Sequence, residues 1–156
     1  MKLKLVAVGT KMPDWVKAGC NEYSKRMPAE LRIESVDIPL GSRGKNQPKA
    51  KAIETESQGL LRAINNNDFV VALDILGQSM STEKLAKQLD NWQMNGQNVC
   101  LMVGGPDGLS SQCLARANLR WSLSDLTLPH PLVRIVLMEQ LYRAWTINNN
   151  HPYHRE

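Results

Sequence analysis

The 156 residues contain no cysteine pair at CxxC spacing and no histidines in an HxH or HxxxH arrangement. Cys20, Cys100 and Cys113 stand far apart, the first two among core-type residues, so neither a disulfide framework nor a zinc site is expected and a reducing compartment fits best. No apolar run is long enough for a membrane span. The start, Met1-Lys2-Leu3-Lys4, passes through a short apolar stretch into polar sequence and predicts no signal peptide, which makes a cytoplasmic location the expectation. Also missing are the GxGxxG spacing of dinucleotide folds and the GK[ST] of phosphate-binding loops. Internal repeats and low-complexity tracts are lacking too. At this length the chain predicts one domain, residues 1–156, with no room for a separate recognition module, so any substrate site must be built from that domain or from two copies of it. The balance of 19 Lys and Arg against 15 Asp and Glu, a net charge of +4, mildly favours an anionic partner.

Three short runs are almost wholly apolar: residues 3–8, 69–73 and 99–103. Strands covered on both faces read this way, as in parallel sheets. Residues 31–38 alternate more and predict a strand nearer an edge, and 119–123 form a weaker candidate. Helical patterns lie between the runs. Pro13 suits a first helical turn, after which Val16, Cys20, Tyr23 and Met27 share a face. A second helix is predicted over 48–64, with Ile53, Leu60, Leu61 and Ile64 inward; Ser81 caps a third, with Leu85, Leu89 and Trp92 inward and Gly96 ending it. Alternating strand and helix predicts an α/β fold with a mostly parallel sheet and right-handed crossovers. The linker-like stretch is 40–51, rich in Gly and Lys.

The last helix, predicted over 131–147, is apolar almost all round. Glu139, Gln140 and Arg143 form one narrow polar stripe, and Arg134 stands apart among aliphatic residues. Such a helix must be covered on two sides, one by its own sheet and the other either by a second subunit or by the rest of its own chain.

Gly104-Gly105-Pro106-Asp107-Gly108 follows a buried strand and precedes Ser110, a helix cap. It is either a ligand-approaching turn at a strand's carboxyl end or only a tight strand-to-helix connection. Asp74-Ile75-Leu76-Gly77 occupies the corresponding place after 69–73, and Leu123-Ser124-Asp125-Leu126-Thr127-Leu128-Pro129-His130-Pro131 is a third, stiffened by prolines. Three such loops on neighbouring strand ends would make one crevice. Without Lys or Arg in them, it suits an adenine and a thioether better than a triphosphate. His130 reads as a general base or as a structural hydrogen-bonding group. Asn148-Asn149-Asn150-His151-Pro152-Tyr153-His154-Arg155-Glu156 can stack on unpaired bases and contact phosphate, with Pro152 ending the helix so that Tyr153, His154 and Arg155 project as a short extended arm, or is a frayed end. The 40–46 loop is either a solvated basic loop, the reading it supports taken alone, or a second candidate RNA contact with mobile cations.

Together Val6-Ala7-Val8-Gly9-Thr10-Lys11, Gly44-Lys45-Asn46, Leu73-Asp74 with Gly77, Gly104-Gly105-Pro106-Asp107-Gly108, Trp121-Ser122-Leu123-Ser124, Leu126-Thr127-Leu128-Pro129-His130 and Asn150-His151-Pro152-Tyr153-His154-Arg155 resemble the large-subunit ribosomal RNA pseudouridine N3 methyltransferases of the SPOUT, or α/β-knot, superfamily. The resemblance implies a carboxyl-terminal trefoil knot, where the residues alone would give an unknotted sheet. It also implies S-adenosylmethionine as methyl donor, held by Leu73, Gly104, Leu123, Ser124, Asp125, Leu126, Thr127 and Leu128. The implied substrate is ribosomal RNA, within the ribosome by preference, and the active assembly is a homodimer whose site includes both subunits. His130, Tyr153, His154 and Arg155 are then the candidates for the catalytic side, placing a base or stabilising developing charge. No metal is expected.

Overall fold

The computed structural model describes residues 1–155. Five strands, β1 (Leu3–Val8), β2 (Ile33–Ile38), β3 (Phe69–Ser79), β4 (Val99–Val103) and β5 (Leu119–Ser122), form one sheet in the order β2-β1-β4-β3-β5. Every neighbouring pair is parallel. The two strands that read as less apolar, β2 and β5, are the edges. Between the strands run α1 (Asp14–Ser24), α2 (Lys49–Arg62), α3 (Thr82–Asn95), α4 (Ser111–Arg116) and the closing α5 (His130–Asn148).

The continuous apolar runs reflect a sheet covered on both faces. Leu3, Leu5 and Ala7 of β1, with Val99, Leu101 and Val103 of β4, face a core made with α1, α3 and α5. Their alternate neighbours Val6, Val8, Cys100 and Met102 face a smaller core made with α2 and α4. Strand residues alternate faces, so β4 is apolar throughout and β1 is apolar save for Lys4. Ser81 caps α3 by accepting from the Lys84 amide at 3.1 Å, and Gly96 ends it in the left-handed conformation. Ser110 likewise accepts from the Cys113 amide at 3.1 Å to start α4.

Two local expectations change. In α2 the buried positions are Ala52, Glu56, Ser57 and Leu60, whereas Ile53, Leu61 and Ile64 are only half-buried. The helix is rotated so that the Glu56 carboxylate lies under the segment before it. Residues 74–77, expected as a loop after a finished strand, are instead an outward bulge within β3: Leu73 and Gln78 both stand opposite Trp121. The chain leaves the ladder and rejoins it at the same partner. Ile75 and Leu76 are 57% and 88% exposed at its tip.

Arg134, the one cation buried in α5, binds the far end of the sheet. Its guanidinium donates to the carbonyls of Val8 at 3.3 Å and Gly9 at 2.8 Å and to Asp37 Oδ1 at 2.6 Å. It is thereby paired with carbonyls at the end of β1 and a carboxylate of β2, which is what allows a charge to sit in an apolar helix.

Candidate functional site

A cavity of about 390 Å³ opens at the carboxyl ends of β3, β4 and β5. Leu73, Asp74 and Ile75 form one wall, Val103, Gly104, Gly105, Pro106 and Gly108 a second, and Trp121 to Ser124 with Leu126 to His130 a third; Val133 of α5 closes the back. The three loops picked from the sequence thus converge. Of the residues expected to hold a methyl donor, Leu73, Gly104, Leu123, Ser124, Leu126, Thr127 and Leu128 line the cavity, and Asp125 does not. Asp125 is exposed on the outer side of its loop.

The third wall is braced by its own side chains. The Ser122 hydroxyl reaches the Ser124 carbonyl at 3.2 Å, and the Leu126 amide donates to the Ser124 hydroxyl at 2.9 Å. Prolines at 129 and 131 restrict the exit into α5. The second wall turns tightly, with the Gly108 amide donating to the Gly105 carbonyl at 3.0 Å. No Lys or Arg lines the cavity among the described residues. Its polar character comes from backbone groups, small hydroxyls, Asp74 and His130, and its body from Leu, Ile, Val and Trp side chains. This is a site for a flat, largely apolar ligand that needs hydrogen bonds at its edge, and its size lies in the range of small-molecule pockets.

His130 stands at the junction of this cavity and α5. Its Nε2 accepts from Arg134 Nε at 3.1 Å. Burial first, then the Arg134 charge, hold its pKa below the usual histidine value, against the opposing pull of the Gly104 carbonyl and of Asp37. These influences favour the neutral ring, which accepts from Arg134 through Nε2 and faces the Gly104 carbonyl with its other nitrogen. In this arrangement it ties the glycine loop to α5.

The tail does not project as the extended arm expected from Pro152. Residues Pro152–Arg155 form a 3-10 turn folded back on α5. The Tyr153 hydroxyl donates to Glu139 Oε1 at 3.1 Å, its ring meets Tyr142 edge-on at 4.8 Å, and the Arg143 guanidinium lies 4.9 Å from its ring centroid. Burial and then the Glu139 charge push the phenol up to about 12, so it is a donor and no base at neutral pH. His154 has a buried Nδ1 without a hydrogen-bond partner among the described residues, and Arg155 is exposed. None of Tyr153, His154 and Arg155 lines the cavity of the same chain. Glu156, the last residue of the motif, lies outside the described residues.

Arg43 also departs from expectation. Rather than a mobile cation it is fixed between Glu56, at 2.6 Å, and Asp107, at 3.0 Å. Sequence reading missed Glu56 because a carboxylate within a helix reads as solvated. The only hint was its place on the apolar side of α2. Trp121 and Val133 were missed as lining residues because each reads as plain core. Among the described residues, no three His, Cys, Asp or Glu side chains group as a metal site, and no helix is long and apolar enough to cross a membrane.

Residues 1–154 match the family model described as "Predicted SPOUT methyltransferase". Three proteins carrying the name "Ribosomal RNA large subunit methyltransferase H" align over their whole length. That of Marinomonas sp. is 55% identical over 99% of this chain, that of Saccharophagus degradans 56% over 99%, and that of Hahella chejuensis 55% over 100%. Among solved structures, a probable methylase family protein from Haemophilus influenzae superposes with a TM-score of 0.57 at 11% identity, covering 97% of this chain and 68% of that one. A tRNA (m1G37) methyltransferase from Aquifex aeolicus gives 0.54 at 13% identity, covering 92% and 70%. At such identities the two structures speak for the fold alone.

Proposed function

Given that the chain belongs to the SPOUT methyltransferase family, we propose that it transfers a methyl group from S-adenosylmethionine to N3 of a pseudouridine in large-subunit ribosomal RNA. The full-length relatives bear the name of a large-subunit ribosomal RNA methyltransferase. The observation that carries the reading is the cavity at the ends of β3, β4 and β5, apolar in its body and free of Lys and Arg among the described residues. A nucleoside joined to a thioether fits such a lining, and a triphosphate does not. S-adenosylmethionine supplies a methyl already activated by the sulfonium charge.

The chain's own task is then alignment. Gly104, Gly105 and the 123–128 loop present backbone groups to the nucleoside edge, and Leu73 with Leu126 and Leu128 encloses its apolar part. Holding two reactants in line accounts for most of the acceleration in such a transfer, and the weakly acidic N3 proton needs only modest help to leave. His130, engaged on both nitrogens, acts by fixing the glycine loop. The tail residues Tyr153, His154 and Arg155 serve the RNA side. Since they lie outside their own chain's cavity, the complete site takes them from a second subunit. The aliphatic residues left partly open on α5, with Leu132 40% exposed, support a homodimer. Threading of the carboxyl-terminal segment into a trefoil knot, action on the assembled ribosome and a cytoplasmic location complete the reading.

Incubation of the protein and S-adenosylmethionine with ribosomes from a strain lacking the enzyme tests it. Mass mapping of the ribosomal RNA should find one added methyl, on a pseudouridine. A protein that binds the ribosome and adds no methyl would be an RNA-binding relative with a vestigial pocket.

A further inference from the structure

Residues 40–46 read as a glycine-flexed loop with mobile cations, yet their first turn is fastened to α2. Gly41 is buried, and a Cβ there would overlap the carbonyl oxygen of Ala52 and lie 2.6 Å from its Cα. The Gly41 amide donates to Glu56 Oε2 at 2.9 Å. Glu56 is only 2% exposed, and a carboxylate so placed must be paired. Arg43 pairs it in a fork, NH1 to Oε2 at 2.6 Å and NH2 to Oε1 at 3.1 Å. The remaining nitrogen, Nε, donates to Asp107 Oδ2 at 3.0 Å. Asp107 lies in the turn between Gly105 and Gly108, both on the cavity wall, while Asp107 itself is not among the lining residues. Gly105 rests on the same carboxylate from the other side, since a Cβ there would come 2.9 Å from Glu56 Oε1.

We propose that Arg43 is a positioning residue for methyl-donor binding: by bridging Glu56 and Asp107 it holds the 104–108 loop in the shape that presents its backbone to the donor. This rests on the donor-pocket reading above. Only a planar guanidinium offers one edge to Glu56 and a further N–H to Asp107, so lysine is no substitute. A loop released from the clasp spends time in other shapes, and donor affinity falls by the fraction of time the competent one is lost.

Asp107→Ala cuts the clasp at the loop while leaving the buried Arg43–Glu56 pair intact, so it avoids the folding penalty of stranding Glu56. Hydrogen exchange of the 104–109 amides, measured without donor, should quicken in this variant while that of the β4 amides stays at the wild-type rate. Its S-adenosylmethionine Kd by calorimetry should rise roughly tenfold. Arg43→Lys should lose about as much, and Asp107→Ala added to Arg43→Lys should cost little more. Unchanged loop exchange in Asp107→Ala, or quickened exchange with wild-type affinity, would overturn the proposal. Wild-type protein that fails to bind S-adenosylmethionine at all would instead overturn the pocket assignment on which it stands.

Discussion

Gly104 lies so close to the backbone closing its own turn that a Cβ there would stand 2.7 Å from the Gly108 carbonyl carbon and 3.0 Å from the Leu109 nitrogen. The obstacle to a side chain is therefore the loop itself, before any ligand arrives. Gly104→Val should abolish S-adenosylmethionine binding, as read by calorimetry, while the circular dichroism spectrum and the mass in solution stay those of the wild type. Affinity equal to wild type would remove this loop from the pocket. His130 carries a different expectation. Its folded pKa is depressed, so its contribution is fully present above the unfolded value of about 6.5 and is lost as pH falls below it. Urea midpoints measured from pH 8 down to pH 5.5 should fall more steeply in wild type than in His130→Gln. Parallel curves would show that the ring is not held as described.

At the scale of elements, the carboxyl-terminal turn is the piece whose removal separates donor binding from methyl transfer. Its contacts are with Glu139, Tyr142 and Arg143 of α5, away from the cavity of its own chain. Deleting residues 151–156 should leave the S-adenosylmethionine Kd within about twofold of wild type and lower methyl transfer to ribosomes by at least about tenfold, as a lost set of stacking and phosphate contacts would. Normal transfer would make the turn a structural cap of α5, and loss of donor binding would place it in the pocket. The elements whose character follows from local pattern were legible in the sequence: β1, β4, α3 with its Ser81 cap, and the two less apolar edge strands. What escaped depends on partners remote in the chain. Nothing near residue 43 announces that its cation will meet Glu56 and Asp107, 13 and 64 positions away. The bulge at 74–77 looked like a strand end because Asp74 and Gly77 interrupt the apolar run, and only the pairing of both Leu73 and Gln78 with Trp121 shows the strand resuming. The tail was misjudged since proline ends an α-helix but begins a 3-10 turn equally well.

For the molecule as a whole, partly open aliphatic positions on α5 and the exposed Ile75, Leu76 and Leu126 beside the cavity lie on a small protein that would leave them in water as a monomer. Light scattering at micromolar concentration should give twice the 17.5 kDa mass of the chain. A stable monomer would undo the composite site along with the interface. Two of the three segments that make the cavity, 104–108 and 123–130, were readable as strand-end loops and the third is a bulge within β3, but their convergence required the sheet order, which no single segment carries. That order has a temporal consequence as well. β1 pairs with β4, whose residues follow it by 96 positions, and β3 also pairs with β4 before β5 can join its other side. While the chain emerges from a ribosome, β1 can pair with β2 but lacks its second neighbour, and β3 lacks any, until residue 103 is made. Distant pairing of this kind slows folding and prolongs exposure to aggregation. A protein whose proposed substrate is the ribosome thus leaves its own ribosome with the central strand of its sheet among the later pieces delivered.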